Sequence, residues 1–403
     1  MGQFIQADSS LVHVNGEGTF ITLGKGEGTK INLLTTVQPG LQVNKLDSAS
    51  KTFNSSRMSL NLIRMSLTAT TFKNKVTMGI VTDFTGNSPI LEGWIGYALT
   101  KNMKFTMGQR QTNTNNRLAM ADERYAQVMS QSIAGKSTDG IIYGGLMQNF
   151  VGATREGGLF LETNFNINKM RIYPSLSITT GEGQNFFSTQ TNLGFKYGGR
   201  IDILPLGDFI KNNAFIAHDI YREPTAKFAL GAAASYNTKA SSPTGTDNPT
   251  ITNIYNKAGQ AALADYRKLV ADFVFKSNGF SILGEYTATS VVGTDLYTNT
   301  LATDKLTSEI ASSFYNLGSA FNIQTSYVFK NGFAIDTRYA KVTPEFNTIT
   351  SKVHNQNWLT FGLNKFIYSN ALRVGLNTSF IEDSTPTLTK NTWVNSFAVQ
   401  ILL

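Results

Sequence analysis

The sequence predicts an all-β protein: a closed antiparallel transmembrane β-barrel of about sixteen strands, with short periplasmic turns and long extracellular loops. Three observations predict it. Apolar and polar residues alternate with a period of two through consecutive segments, which gives each strand two unlike faces. Many of these segments run roughly ten to sixteen residues, beyond the five or six usual in a globular sheet and long enough to cross a bilayer at a tilt. The faces opposite the apolar rows carry Arg, Lys, Asn and Thr, which suits a wetted lumen. A closed cylinder is also the only sheet that leaves no backbone group unpaired in lipid.

The pattern is clearest from Ser56 to Gln111. Met58, Leu60 and Leu62 share one face opposite Arg57, Ser59 and Asn61. After Leu62 the phase slips by one, so that Ile63, Met65 and Leu67 oppose Arg64, Ser66 and Thr68, as a β-bulge would produce. Val76, Met78 and Ile80 then oppose Thr77, Gly79 and Asp83, and Leu91, Gly93, Ile95 and Tyr97 oppose Glu92, Trp94 and Gly96.

In chain order, strands are expected over 30–45, 55–72, 75–84, 90–99 and 103–110. After a long insertion, 111–154, they continue over 155–167, 170–181, 189–203 and 226–238. The remainder are 265–276, 279–290, 313–329, 332–343, 356–367, 370–382 and 392–403. Tight turns at FKNK, TKNM, NINKMR, KSNG, KNG and IYSN alternate with longer connections, the asymmetry of a barrel with short inner turns. The bulky connection LPLGDFIKNNAFIAHDIYREPT, 204–225, is the exception, and KAGQAALADY carries a short helical signature. Residues 1–29 are expected to be a flexible N-terminal segment. Its GEGTFITLGKGEG run is no phosphate loop, because five residues separate Gly18 from Gly24 and Gly26 follows Lys25. Residues 30–403 are expected to form the barrel domain, with the long insertion 111–154 either folding into the lumen to constrict the pore or packing as a surface loop on a neighbouring subunit.

Of 403 residues only 15% are charged, while Gly numbers 35, Tyr 15 and Phe 27, a composition suited to long strands with aromatic girdles. No run reaches the eighteen or so apolar residues of a spanning helix. The absence of Cys excludes disulfides, Cys-based zinc sites and iron–sulfur centres. MGQFIQADSS lacks the basic start and apolar core of a signal peptide, so the chain reads as the mature product of export to the outer membrane of a Gram-negative bacterium. The formal charge is +8, but Lys and Arg are spread singly instead of clustering with stacking aromatics. That argues against a nucleic-acid partner and for an aqueous lumen that attracts anions.

The alternation places Arg57, Arg64, Lys104, Arg110, Arg171, Lys196, Arg200, Lys227, Lys268, Arg338 and Arg373 in the lumen, with Asp83, Glu92, Glu162, Asp202, Asp272, Glu285 and Asp336 as lumenal acids. The basic excess suggests mild anion preference, and some of these groups are expected to pair across neighbouring strands. Within the insertion, Arg117, Asp122, Glu123, Arg124 and Lys136 are the constriction candidates, where a guanidinium would offer anions a rigid donor fork. His13, His218 and His354 sit in no nucleophile motif, and no metal-ligand spacing occurs. No catalytic residue, metal or cofactor is expected.

These residues resemble the phosphate-selective porin O and P family, which places a basic strand start, a DF pair, a Tyr-containing strand and a GQ motif in the order of Arg57, Asp83-Phe84, Tyr97 and Gly108-Gln109. GGRIDILPLG, DFVFKSNGFSILGEY, FKNGFAIDTRYAKVTP and WLTFGLNKFIYSNALRVGLN extend the resemblance over most of 56–403. It implies a sixteen-stranded outer-membrane barrel, usually trimeric, that passes small anions such as phosphate amid lipid and lipopolysaccharide. Gln109 continues into Arg110-Gln111 instead of a Lys-Pro type sequence, which favours a general porin over a phosphate-specific one. The expected function is therefore passive diffusion of small hydrophilic solutes; the alternative is a structural or accessory barrel subunit of a larger outer-membrane complex.

Overall fold

The computed structural model describes residues 12–15, 18–23, 28–48, 51–85, 89–120, 154–185, 194–246, 248–293 and 295–403. The described residues form nineteen strand segments. β1 (Val12–Asn15) and β2 (Gly18–Leu23) form a hairpin. β3 (Thr29–Ser48) and β4 (Lys51–Thr71) are the longest. A lower stretch of wall follows in β5 (Val76–Asp83), β6 (Ile90–Ala98), β7 (Met103–Gln111) and β8 (Arg155–Thr163), which resumes past Asn164 as β9 (Phe165–Ile167). Then come β10 (Met170–Thr179), β11 (Lys196–Leu204), β12 (Lys227–Asn237), β13 (Asp265–Ser277) and β14 (Phe280–Val292). The last are β15 (Gly318–Val328), β16 (Phe333–Pro344), β17 (Asn355–Ile367), β18 (Leu372–Ser384) and β19 (Thr389–Leu402).

From β3 onward each stave pairs antiparallel with the next, and β19 returns to β3 in a register running from Lys390 opposite Ser48 to Leu402 opposite Thr36. β8 and β9 both lie on β10 as one interrupted stave, so the closed cylinder has sixteen staves. Closure leaves no edge strand in the cylinder, the condition for a sheet in lipid; among the described residues the outer part of β4, above the Arg64–Asp83 pair, is paired on its β3 side alone. Near the N-terminus, β2 pairs Thr19–Leu23 with Leu33–Thr29, on the part of the β3 edge beyond the β19 register.

The two faces separate as the alternation demands. On β17 the outward Phe361 and Leu363 are 50% and 57% exposed, whereas the inward Thr360 and Asn364 are 1% and 2%. On β16, Ile335 and Tyr339 point outward and Asp336 and Arg338 inward. Phe72, Phe165, Phe280, Phe329 and Tyr368 are exposed at the short-turn end, the place of an interfacial aromatic girdle. Several of those turns require left-handed backbone, as at Asn74 (φ 61°), Asn278 (φ 51°) and Ser369 (φ 61°), which matches the right-handed twist of the strands they join.

Four local expectations are corrected. The slip in β4 lies one residue earlier: the register shifts opposite Gln38/Pro39, Asn61 is the extra residue, and Leu62 turns inward at 3% exposure. Gly40 makes room for it, since a Cβ there would stand 2.3 Å from Asn61 Nδ2. A second bulge, opposite Val81/Thr82, takes Leu91 out of the lipid-facing row and buries it. KAGQAALADY is not helical, because Asn256 Oδ1 accepts from the Ala258 and Gln260 amides and Gly259 adopts φ 74°, an Asx-type turn that competes with a helix. Residues 313–317 are not strand but follow a short helical turn, Ser308–Ala311, that Thr307 caps through the Ile310 amide.

The main departure is at 204–225, expected to be a periplasmic connection. It folds back inside the cylinder as a 3-10 helix, Ile210–Phe215, and a run of bends that ends in a turn closed by the Arg222 amide on the Asp219 carbonyl. Phe209, Ala214 and Ala217 pack with Leu204, Ala229, Val274 and Leu283 on the inner faces of β11 to β14, and also with Leu118 of the insertion. Two inserts, one from each end of the barrel, therefore meet in the lumen.

Candidate functional site: an asymmetric lumenal passage

The start of the insertion leaves β7 and turns inward. Among its described residues the helical turn α1 (Arg117–Met120) is far too short to stand alone, so side chains hold it. Arg117 Nε donates to Asp272 Oδ1 at 3.0 Å and its Nη2 to Asp202. Arg200 grips the same two carboxylates, with Nε to Asp202 Oδ2 at 2.7 Å and Nη2 to Asp272 Oδ1 at 2.8 Å. The Leu118 amide donates to Glu285 Oε1 at 2.8 Å, Thr287 Oγ1 donates to Asn116 Oδ1 at 2.7 Å, and Lys268 Nζ reaches Asn115 Oδ1 at 3.3 Å. Gly231 faces this cluster because nothing larger fits: a Cβ would stand 2.0 Å from Arg200 Nη2 and 2.3 Å from Asp272 Oδ1. Ala119 goes on to touch the β15–β19 side with Ala320, Ala340 and Trp358.

The inserts leave the lumen unevenly filled. A cavity of about 690 Å³ lies on the β5–β11 side, between the wall, Arg117 and Met120 of the insertion, and Asp208, Phe209, Ala214 and Phe215 of the other insert. Asn74, Thr100, Lys101 and Asn102, from the short-turn end, line its mouth. Five basic side chains line it, Lys101, Lys104, Arg110, Arg117 and Arg200, against three acids, Glu162, Asp202 and Asp208. Arg110 holds both oxygens of Glu162, at 3.0 and 2.9 Å. Asp208 faces Arg171 at 2.9 Å, and the Arg117–Arg200–Asp202–Asp272 group is balanced. The positive excess thus resides on Lys101 and on the Lys104–Arg110 pair, which shares the one carboxylate of Glu162; the Lys104 ammonium stands 4.8 Å from the Trp94 ring centroid.

Of the residues expected in the lumen, the structure brings Lys104, Arg110, Arg117 and Arg200 to one passage. Others are locked into the wall. Arg64 pairs with Asp83 at 2.9 Å and Lys196 with Glu156 at 3.0 Å, both on faces with almost no exposure. Glu92 takes Arg155 at 3.0 Å and the Trp94 Nε1–H at 3.2 Å. Arg338 lies over Trp358 at 5.2 Å, and Arg373 over Phe366 at 5.2 Å with its Nε on Asn364. Arg57 is exposed high on β4 in register with Gln42, away from the cavity, and Lys227 reaches the Leu206 carbonyl at 3.0 Å. Asp122, Glu123, Arg124 and Lys136 lie outside the described residues.

Sequence reasoning missed Lys101, Arg155, Glu156, Asp208 and Lys276. Lys276 was legible, since it continues the inward row of Lys268 and Asp272 at every fourth residue of β13. Glu156 follows from alternation too, but the pairing with Lys196 depends on β8, β10 and β11 lying side by side. Asp208 could not be found that way, because no strand periodicity governs a segment folded back on itself.

No protein-family model matches the sequence, and no curated protein matches it in sequence. Solved structures do. The anion-selective porin from Comamonas acidovorans is 12% identical with a TM-score of 0.54, covering 93% of this chain and 100% of its own. OprB of Pseudomonas putida is 11% identical with a TM-score of 0.54, covering 94% of each chain. The outer membrane channel DcaP of Acinetobacter baumannii is 10% identical with a TM-score of 0.53, covering 95% and 99%. At such identities the likeness is one of fold, so the chain has the architecture of outer-membrane porins: a closed sixteen-stranded antiparallel barrel.

Proposed function

We propose that this chain is a porin of a Gram-negative outer membrane that lets small hydrophilic solutes diffuse passively, with mild preference for anions. The observation that carries the reading is the cavity of about 690 Å³ inside a closed, lipid-faced cylinder, with charged and amide side chains among its lining and a basic excess that includes Lys101 and Lys104 at its short-turn end. Arg117 and its insertion supply the constriction, and Arg110 and Arg200 line the narrow side. A homotrimer surrounded by lipid and lipopolysaccharide belongs to the same reading, as does phosphate among the permeant anions; the phosphate-selective porin O and P resemblance supports both. Reconstituted into a planar bilayer, the protein should give stepwise conductance, with a reversal potential in a salt gradient that favours anions. A cation-favouring potential removes the anion preference.

The second reading, an accessory barrel subunit in a larger outer-membrane complex, draws on the two inserts that fill much of the lumen. Absence of conductance together with a partner that co-purifies at fixed ratio selects it.

A further inference from the structure

The connection 205–226 is built as if to stay inside the barrel. The Lys276 ammonium, 0% exposed on β13, is surrounded by four oxygens of the segment: Asn213 O at 2.6 Å, Asn213 Oδ1 at 2.8 Å, Ile216 O at 2.6 Å and His218 O at 2.8 Å. Ser281 Oγ donates to the Ala217 carbonyl at 2.9 Å, and Asp219 Oδ2 accepts from the Gly279 amide at 2.7 Å. His218 Nε2 stands 2.8 Å from Asp336 Oδ1 on β16, its ring edge-on to Phe366 of β17 at 5.0 Å. Arg222 donates to the Val328 carbonyl at the end of β15. The segment is thus fastened to five consecutive staves, β13 to β17, and its apolar side rests on β11 to β14 and on Leu118. The cavity lies wholly on the other side, bounded by Phe209, Ala214 and Phe215 of this segment. A buried ammonium tolerates desolvation only when its donors are satisfied, and here three backbone carbonyls and the Asn213 side-chain oxygen of the inserted segment satisfy it.

We infer that residues 205–226 are a fixed plug, latched by Lys276, that closes the β13–β17 side of the lumen at its short-turn end and confines permeation to the β5–β11 side. The plug sets the bore and the charge a solute meets, because the open side carries Lys101, Lys104 and the Arg110–Glu162 pair. The inference rests on the channel reading, and its test separates the two.

The chain contains no Cys, so single introduced thiols report access directly. Ser326→Cys, behind the plug against Ser281, and Ser175→Cys, on the cavity, are labelled with a small hydrophilic maleimide in the intact protein. They are labelled again after Lys276→Met and after replacement of 209–222 by a short Gly-Ser turn. The plug predicts that Ser175→Cys labels readily throughout. Ser326→Cys should label at least about tenfold more slowly in the intact chain and approach the Ser175→Cys rate once latch or plug is gone. Unit conductance of the shortened protein should rise about twofold, as the open cross-section grows. Equal labelling of the two thiols in the intact protein overturns the plug, as does unchanged conductance of a shortened barrel that folds. The labelling needs no conductance, so a wild-type protein that fails to conduct sinks the channel reading while leaving the plug to be judged by access; if the shortened chain does not fold, the intact and Lys276→Met comparisons still decide.

Discussion

Lys104 and Arg110 share the single carboxylate of Glu162, which lies opposite Lys104 in register and gives both its oxygens to Arg110, so the cavity keeps a net positive charge there. Lys101→Glu with Lys104→Glu should therefore move the reversal potential toward cations, changing the anion-to-cation permeability ratio severalfold at low salt and less at high salt. Asp272 is a different kind of residue, buried between Arg117 and Arg200. Asp272→Asn leaves two guanidiniums around a single full carboxylate, and urea titration of folding should show a loss of about 3–5 kcal/mol. His218 is the histidine of the plug. Burial holds its pKa below the ordinary 6.5, against the pull of Asp336 and with Arg373 and Lys276 adding to the depression. A depressed histidine stabilises the fold while neutral: its contribution is complete above 6.5 and is lost as pH falls through the lowered folded value. Acidification should loosen the plug and raise unit conductance, and His218→Phe should flatten that dependence; a pH-independent wild type counts against it.

The elements differ in what fixes them. The strands form from their own alternation, but α1 is one turn long and owes its position to Asp202, Asp272 and Glu285 on the wall. Arg117→Ala should accordingly leave the barrel intact, because Arg200 still holds both aspartates, while the freed insertion widens the passage. Single-channel recording should show unit conductance rising by up to about twofold, with thermal stability little changed. The plug obeys the same logic from the opposite end. KSNG looks like any hairpin turn, yet the Gly279 amide and Lys276 beside it are docking points for a segment some sixty positions away.

For the molecule as a whole, the inside-out arrangement is the claim with most depending on it. Leu363→Arg, on the outward face of β17, should cost about 2–4 kcal/mol in vesicle refolding if the site is near the bilayer midplane. A cost near zero would remove that row from lipid. The period of two, the turn chemistry and the even count of long strands were enough to determine a closed barrel with apolar rows outside and Arg64, Lys104, Arg110, Arg200, Arg338 and Arg373 inside, since each is a local consequence of strand geometry. What the sequence did not reveal is which inward charges face water. Arg64 and Lys196 are spent on Asp83 and Glu156, whereas Lys104 must share Glu162 with Arg110, and that distinction depends on which strands become neighbours and how deep each group lies. Nor did alternation announce that 204–225 turns back into the lumen, because a plug has no period and its hold comes from Lys276, Ser281 and Asp336 on staves far away in sequence. Local repetition dictates the wall; only tertiary proximity decides what fills it and where an opening remains.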